Sequence, residues 1–282
     1  MNPYLRLIRF DKPIGTLLLL WPTLWGLWIA YGGIPPLTIL IVFVLGVFLT
    51  RAAGCAINDF ADAEFDRQVK RTIMRPVAAN EISRKSALLV CFILSVTAFC
   101  LAAMFLQSKT LFWTIPALLI FVSYPFFKRF FPIPQLYLSI AFSFGIPMAF
   151  IEAGMGITLS TWAIFAANCV WVLAYDTIYA MVDLDDDLKI GIKTSAITFG
   201  SQVIPVIASM YLALVGLLIY LQYSLHLGVF FVLSIIVSIR LIDHIYLLIK
   251  PKRREDCFKA FLFNNYIGMI IFAGLFFSYI KI

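Results

Sequence analysis

Nine stretches of this chain are each about as long as a bilayer's hydrocarbon core requires of a helix, and each is almost wholly apolar. They fall at roughly 14–32, 37–60, 86–106, 110–127, 134–152, 160–182, 202–222, 226–248 and 258–280. About 20 apolar residues span a membrane as a helix, and a lipid-immersed helix satisfies its own backbone hydrogen bonds. Only 13% of the residues are charged, against roughly a quarter in a soluble domain, and mean hydropathy is +0.97. The expectation is an all-α, polytopic membrane protein with nine transmembrane helices. The start, MNPYLRLIRFDKP, is short and basic, and the run after it has no small-residue cleavage site, so no cleaved leader is expected.

Charge placement orients those helices. With the N-terminus inside, eighteen Lys and Arg fall in inner loops, only Lys109 and Lys281 in outer ones, and Arg51 and Arg240 within spans. The positive-inside rule then predicts a cytoplasmic N-terminus. The net charge of +7 is the excess of cytoplasmic loops facing anionic lipid and does not point to nucleic acid. The five cysteines have no short pair spacing and read as small buried residues. No protein partner can be deduced.

Two acidic clusters break the apolar pattern, both at inner ends of spans. In RAAGCAINDFADAEFD, Asn58, Asp62 and Asp66 are four apart, which places them within about 80° of one helix face. About 120 residues later, in DTIYAMVDLDDDLKIGIK, Asp183 and Asp187 repeat the spacing, with Asp176 and Tyr179 upstream on the same stripe. One acid at a span end is ordinarily a polar helix terminus reaching water. Rows of oxygen side chains suit a hard divalent cation, Mg²⁺ above all, shared with substrate phosphates. Carboxylates near hydrocarbon cost about 3 kcal/mol each without counter-charge. Lys70, Arg71, Arg75, Lys128 and Arg129 lie on the same side and fit an anionic ligand bridged by metal, although topogenic charge alone would account for each singly. Asp59, Asp185 and Asp186 fall off the stripes.

Arg51 lies seven residues before Asn58, two turns and about 10 Å deeper on the same face. It is either a structural partner for an acid such as Asp176 or a clamp for a carboxylate-bearing co-substrate. Tyr124, ending the fourth span in YPFFKR, reads as an interfacial aromatic or a phosphate contact, and so does Tyr179. His226 and His244 are isolated and carry no expected chemistry.

These motifs resemble the UbiA-type intramembrane prenyltransferases. The resemblance covers nearly the whole chain, through DKPIGTLLLLWPTLWGLW at 11–28, residues 51–66, KRTIMRP at 70–76, YPFFKR at 124–129, GIPMAF at 145–150, residues 175–196 and CFKAFLFNNYIG at 257–268. The first and the 175–196 blocks favour the branch that acts on 4-hydroxybenzoate in ubiquinone biosynthesis. The resemblance implies a central cavity open to lipid. It implies Mg²⁺ on Asn58, Asp62, Asp66, Asp183 and Asp187, gripping a polyprenyl diphosphate, with Asp62, Asp66, Asp183 and Asp187 catalytic. Lys70, Arg71, Tyr124, Lys128, Asp176 and Tyr179 join the substrate site, and Arg51 the aromatic acid. A bacterial inner-membrane enzyme with its site at the cytoplasmic face is expected. Two departures from relatives stand out: Met74 where many carry Asn, and Leu184 where Arg is usual. The single domain, 1–282, would comprise four-helix halves at 14–127 and 134–248 plus a ninth helix at 258–280. A sister enzyme with another aromatic acceptor, or a membrane transporter, are the competing readings.

Overall fold

The computed structural model describes residues 1–280, so Lys281, one of the two outer-side cations, lies outside the described residues. The chain is helical throughout them: α1 (Pro3–Leu7), α2 (Ile14–Tyr31), α3 (Leu37–Asp66), α4 (Arg84–Phe105), α5 (Ser108–Phe127), α6 (Pro134–Ser143), α7 (Gly145–Glu152), α8 (Leu159–Val182), α9 (Leu184–Ile190), α10 (Ser195–Phe199), α11 (Val203–Ser224), α12 (Val229–Ile249) and α13 (Arg254–Tyr279). Among the described residues, nine spans are long and apolar enough to cross a membrane. The ends follow local chemistry. Gly32 closes α2 in the left-handed conformation at φ 63°, ahead of Pro35 and Pro36. Ser83 caps α4, and Thr158 and Thr161 form a reciprocal capping box at α8.

The fifth span runs from Pro134 to Glu152, as expected, with its helical hydrogen bonding interrupted at Phe144 between α6 and α7. Pro147 has no N–H to offer the preceding turn. Gly145 sits where an added Cβ would come 2.7 Å from Thr23 Oγ1, so the break seats α7 closely on α2.

Enclosure is uneven. Of the spans, α8 is the most buried, while α4 and α5 expose most of their surface, as helices in contact with lipid do. Around α8 a polar knot pins four helices. Asn264 Oδ1 on α13 accepts from Trp171 Nε1 of α8 at 3.0 Å and from Tyr211 Oη of α11 at 2.8 Å. From α2, Trp25 Nε1 donates to Gly268 O at 3.1 Å, and its ring lies 5.2 Å from that of Trp171. Between lipid-soluble helices, close packing and such hydrogen bonds replace hydrophobic driving force. A Cβ at Gly268 would sit 2.6 Å from both Trp171 and Trp21. The ninth span is thus wedged against α2, α8 and α12.

Candidate active site

Helix α3 is unbroken for 30 residues, about 45 Å, which exceeds the hydrocarbon thickness. It therefore carries Arg51 inside the membrane and Asp66 beyond its edge on one face. Asp62 is buried; one of its oxygens accepts from Lys128 Nζ, at the end of α5, while Oδ1 is buried with no partner. Asp66 accepts from Arg75 Nη1 at 2.8 and 3.1 Å. Burial opposes the Arg75 charge, but Asp66 and Asp59 outweigh it and hold the guanidinium above its ordinary range. Asp59, fully buried, takes Arg9 Nη2 at 2.6 Å and lies 3.8 Å from Arg75 Nη1.

The segment after α3 turns back beneath this row, with Thr72 Oγ1 donating to Asp66 O at 3.1 Å. It sends Arg71 across to the second cluster. The Arg71 Nε and Nη2 donate to Asp183 Oδ2 at 2.9 and 2.5 Å, and the guanidinium lies 4.6 Å above the centre of the Tyr179 ring. One loop cation therefore ties the two acidic clusters together, although their sequences lie 112 positions apart at this contact.

The second stripe is not one helix face, contrary to the expectation of a continuous row from Asp176 to Asp187. Asp183 leaves helical geometry at φ −104°, ψ 7°, ending α8 and opening α9. Its carbonyl still accepts from Asp186 N at 3.0 Å and Asp187 N at 2.8 Å, so the chain re-enters a helix at once. Burial, reinforced by Asp183, pushes the Asp187 carboxyl up to about 7, against the pull of Lys128 and Arg71.

Asp62, Asp66, Arg71, Arg75, Lys128, Tyr179, Asp183 and Asp187 line a single cavity of about 1200 Å³, and Asp59 lies outside it. Its charged mouth holds Asn58, Asp62, Asp66, Arg71, Lys128, Asp183 and Asp187. Deeper lie Arg51, Tyr124, Tyr175, Asp176 and Tyr179, and apolar walls follow with Phe43, Phe92 and Phe121. Arg51 has no ion-pair partner among the described residues. Its Nη1 donates to Cys55 Sγ at 2.7 Å, and its Nε is buried without an acceptor. The alternative, a structural pair with Asp176, is not formed. Gly15 makes room for this guanidinium, since a Cβ there would lie 2.6 Å from Arg51 Nη2.

The UbiA prenyltransferase family profile matches residues 19–267.

The chain belongs to the UbiA prenyltransferase family.

It is 52% identical to 4-hydroxybenzoate octaprenyltransferase of Nitrosomonas eutropha over 274 residues, 97% of this chain and 96% of that one. The apo structure of a UbiA homologue from Aeropyrum pernix superposes with a TM-score of 0.81 at 26% identity, covering 92% of this chain and 96% of that chain. A UbiA homologue from Archaeoglobus fulgidus bound to GPP and Mg²⁺ shares the fold at a TM-score of 0.68 and 21% identity, covering 97% and 99%.

Within this UbiA fold, eleven of the twelve side chains singled out from the sequence line the cavity; Lys70 does not. It is exposed, because its neighbour Val69 is turned inward and the tight turn points Lys70 to solvent. Three further cations belong to its network: Arg75, read from the sequence as one of the cations facing an anionic ligand, and Arg9 and Arg254, which sequence reading left out. Arg75 holds Asp66, and Arg9 holds Asp59. Arg254, the first residue of α13, reaches Asp183 at 3.2 Å and Asp186 at 3.3 Å. It supplies a cation to the cluster in which Leu184 instead packs on the core. The sequence signal for Arg75 was its place in KRTIMRP. Arg9 and Arg254 had none, since each meets its acid across 50 or more positions.

The donor chemistry fits a divalent cation: carboxylate and amide oxygens only, with Asp62 Oδ1 buried and unsatisfied. Among the described residues no three acidic, His or Cys side chains close into a protein-only cage. That arrangement suits an ion completing its shell with phosphate oxygens and water.

Proposed function

We propose that this chain transfers a polyprenyl group from polyprenyl diphosphate to the ring of 4-hydroxybenzoate, ortho to the hydroxyl, releasing diphosphate, as a step of ubiquinone biosynthesis. The name of the Nitrosomonas relative supports donor and acceptor. The observation that carries the acceptor reading is Arg51: a guanidinium with an unsatisfied buried N–H, facing the cavity below both acid clusters. A carboxylate is the ligand that such a group lacks.

Asn58, Asp62, Asp66, Asp183 and Asp187 would hold Mg²⁺. When bound, the metal supplies Lewis-acid stabilisation of the departing diphosphate. Arg71, Lys128 and Arg75 share that charge as ammonium and guanidinium donors. Tyr124 and Tyr179 line the path between diphosphate and acceptor. The prenyl C–O bond breaks with its electron pair leaving on phosphate. The ring carbon of the acceptor then bonds to the allylic cation, and loss of the ring proton to a nearby base restores aromaticity. Apolar walls limit water and hence hydrolysis of the cation. The enzyme is a single domain of two four-helix halves and a ninth helix. It sits in the bacterial inner membrane with site and N-terminus at the cytoplasmic face, a reading supported by the loop charge asymmetry.

The test offers membranes containing the chain a mixture of polyprenyl diphosphates and aromatic acids with Mg²⁺, and identifies products by mass spectrometry. A prenylated 4-hydroxybenzoate is expected. Product from a different acceptor, or label crossing sealed vesicles unaltered, would overturn the assignment.

A further inference from the structure

Helix α12 contributes nothing to the cavity, yet it carries charge inside the membrane. Arg240 lies 9 residues from the inner end of the helix, about 14 Å along its axis, and Asp243 and His244 follow on the same face. All three are exposed on the outside of the bundle. Among the described residues, none has a hydrogen-bond or ion-pair partner; His244 makes only an edge contact with the Phe263 ring at 4.9 Å. Intramembrane charges ordinarily face the bundle interior or pair with one another, because lipid solvates them poorly.

The rest of that face forms a seam. Leu233, Ile236, Val237 and Leu247 are exposed in register with Arg240 and Asp243, at the three- and four-residue steps of a helix-packing stripe. The opposite face is already filled: Phe231, Ser234, Ile235 and Ser238 are buried, with Ser234 closing on Gly274 of α13.

We propose that α12 is the contact helix of a homodimer in the membrane, with Arg240 of each copy paired to Asp243 of the partner subunit. Copies of one chain share one orientation in the bilayer, so a two-fold axis along the membrane normal sets the two helices parallel. Such an axis makes the patch meet itself. An arginine and an aspartate one turn apart are complementary under that operation and give two reciprocal pairs. The long arginine side chain spans the one-turn offset. No other ionisable group of α12 lies between its outer end and Arg240. The cavity is lined by residues of α1 to α9 and α13 and none of α12, so the seam does not cover it.

The test is cysteine cross-linking of the full chain in native membranes, with the exposed Cys100 replaced by serine. Oxidised Val237→Cys should give a band of twice the monomer mass, while Leu212→Cys on the exposed face of α11 should not. Adding Arg240→Asp, or Asp243→Arg, opposes like charges and should lower that yield about tenfold or more. The double exchange Arg240→Asp with Asp243→Arg restores complementarity and should recover it. Prenyl transfer by each variant reports that it folds. The proposal is overturned by a yield at Val237→Cys no greater than at Leu212→Cys. It is equally overturned by a yield indifferent to the charge reversals, or by adducts with a different protein in place of a second copy.

Discussion

The two acidic clusters line one cavity on unlike supports. The first rides on a straight helix that emerges from the membrane intact, so the positions of Asn58, Asp62 and Asp66 follow from helical pitch alone. The second straddles a break: Asp183 is a junction residue, and Asp187 belongs to a seven-residue helix. The first cluster has cations too, Lys128 on Asp62 and Arg75 on Asp66, but its helix already sets its spacing, whereas the second lacks that continuous support. Arg71 comes from the segment after α3 and Arg254 from α13, and both converge on Asp183. A cluster whose backbone is interrupted is more sensitive to losing one of its cations than a cluster spaced by an unbroken helix.

Several experiments would break or sharpen that contrast. The largest effect is expected from removing a carboxylate in either cluster. Asp62→Ala and Asp187→Ala should each lower kcat/KM by about 10³ or more in membranes supplied with donor, 4-hydroxybenzoate and Mg²⁺. Near-normal turnover by either would show that the clusters do not share one ligand. Next comes the bridging cation. Arg71→Ala should cost about 10²-fold, with Arg71→Lys recovering little because the bidentate hold on Asp183 is lost. Arg51→Ala should raise KM for the aromatic acid by about tenfold while leaving KM for the diphosphate near normal. An unchanged KM for the acid removes Arg51 from acceptor binding.

Smaller effects separate the two supports. Arg254→Ala should weaken the metal requirement's apparent affinity by about tenfold, acting through Asp183. An Arg84→Ala change at the Glu64 pair on the exposed side of α3 should do almost nothing. The mildest signal is in pH. Burial pushes the Asp187 carboxyl up to about 7, so a divalent ion held there would compete with a proton. Metal affinity, read by activity against Mg²⁺ concentration, should rise with pH up to about 7 and flatten above it. In metal-free protein the sign reverses for stability. A carboxyl raised on folding favours the folded state at low pH, and that advantage fades as pH climbs from the ordinary carboxylate range toward 7.

The spans were legible because lipid leaves a backbone few options, and residue runs state their own length. The first cluster was legible because nothing interrupts α3. The failures share a cause, which is that local pattern carries no long-range geometry. Nothing in the apolar run at 134–152 marks Phe144 as the breaking point except a proline three residues on, and Pro116 and Pro125 sit inside α5 without ending it. Asp183 keeps the four-residue spacing while abandoning helical angles. Lys70 looked equivalent to Arg71 until a turn sent them to opposite sides. The cations Arg9 and Arg254 became site residues only once the chain ends were brought to the same end of the bundle.

The Lys128–Asp62 and Arg71–Asp183 pairs have one more consequence. Asp62 and Asp183 each already lean on a counter-ion from their own chain, so the protein can settle into a bilayer with much of its site electrically muted. If these aspartates hold a divalent ion, loading would be an exchange, in which Lys128 and Arg71 give up their aspartates and become free to donate to phosphate oxygens. Such a pocket arms itself only when both reactants' charges are present.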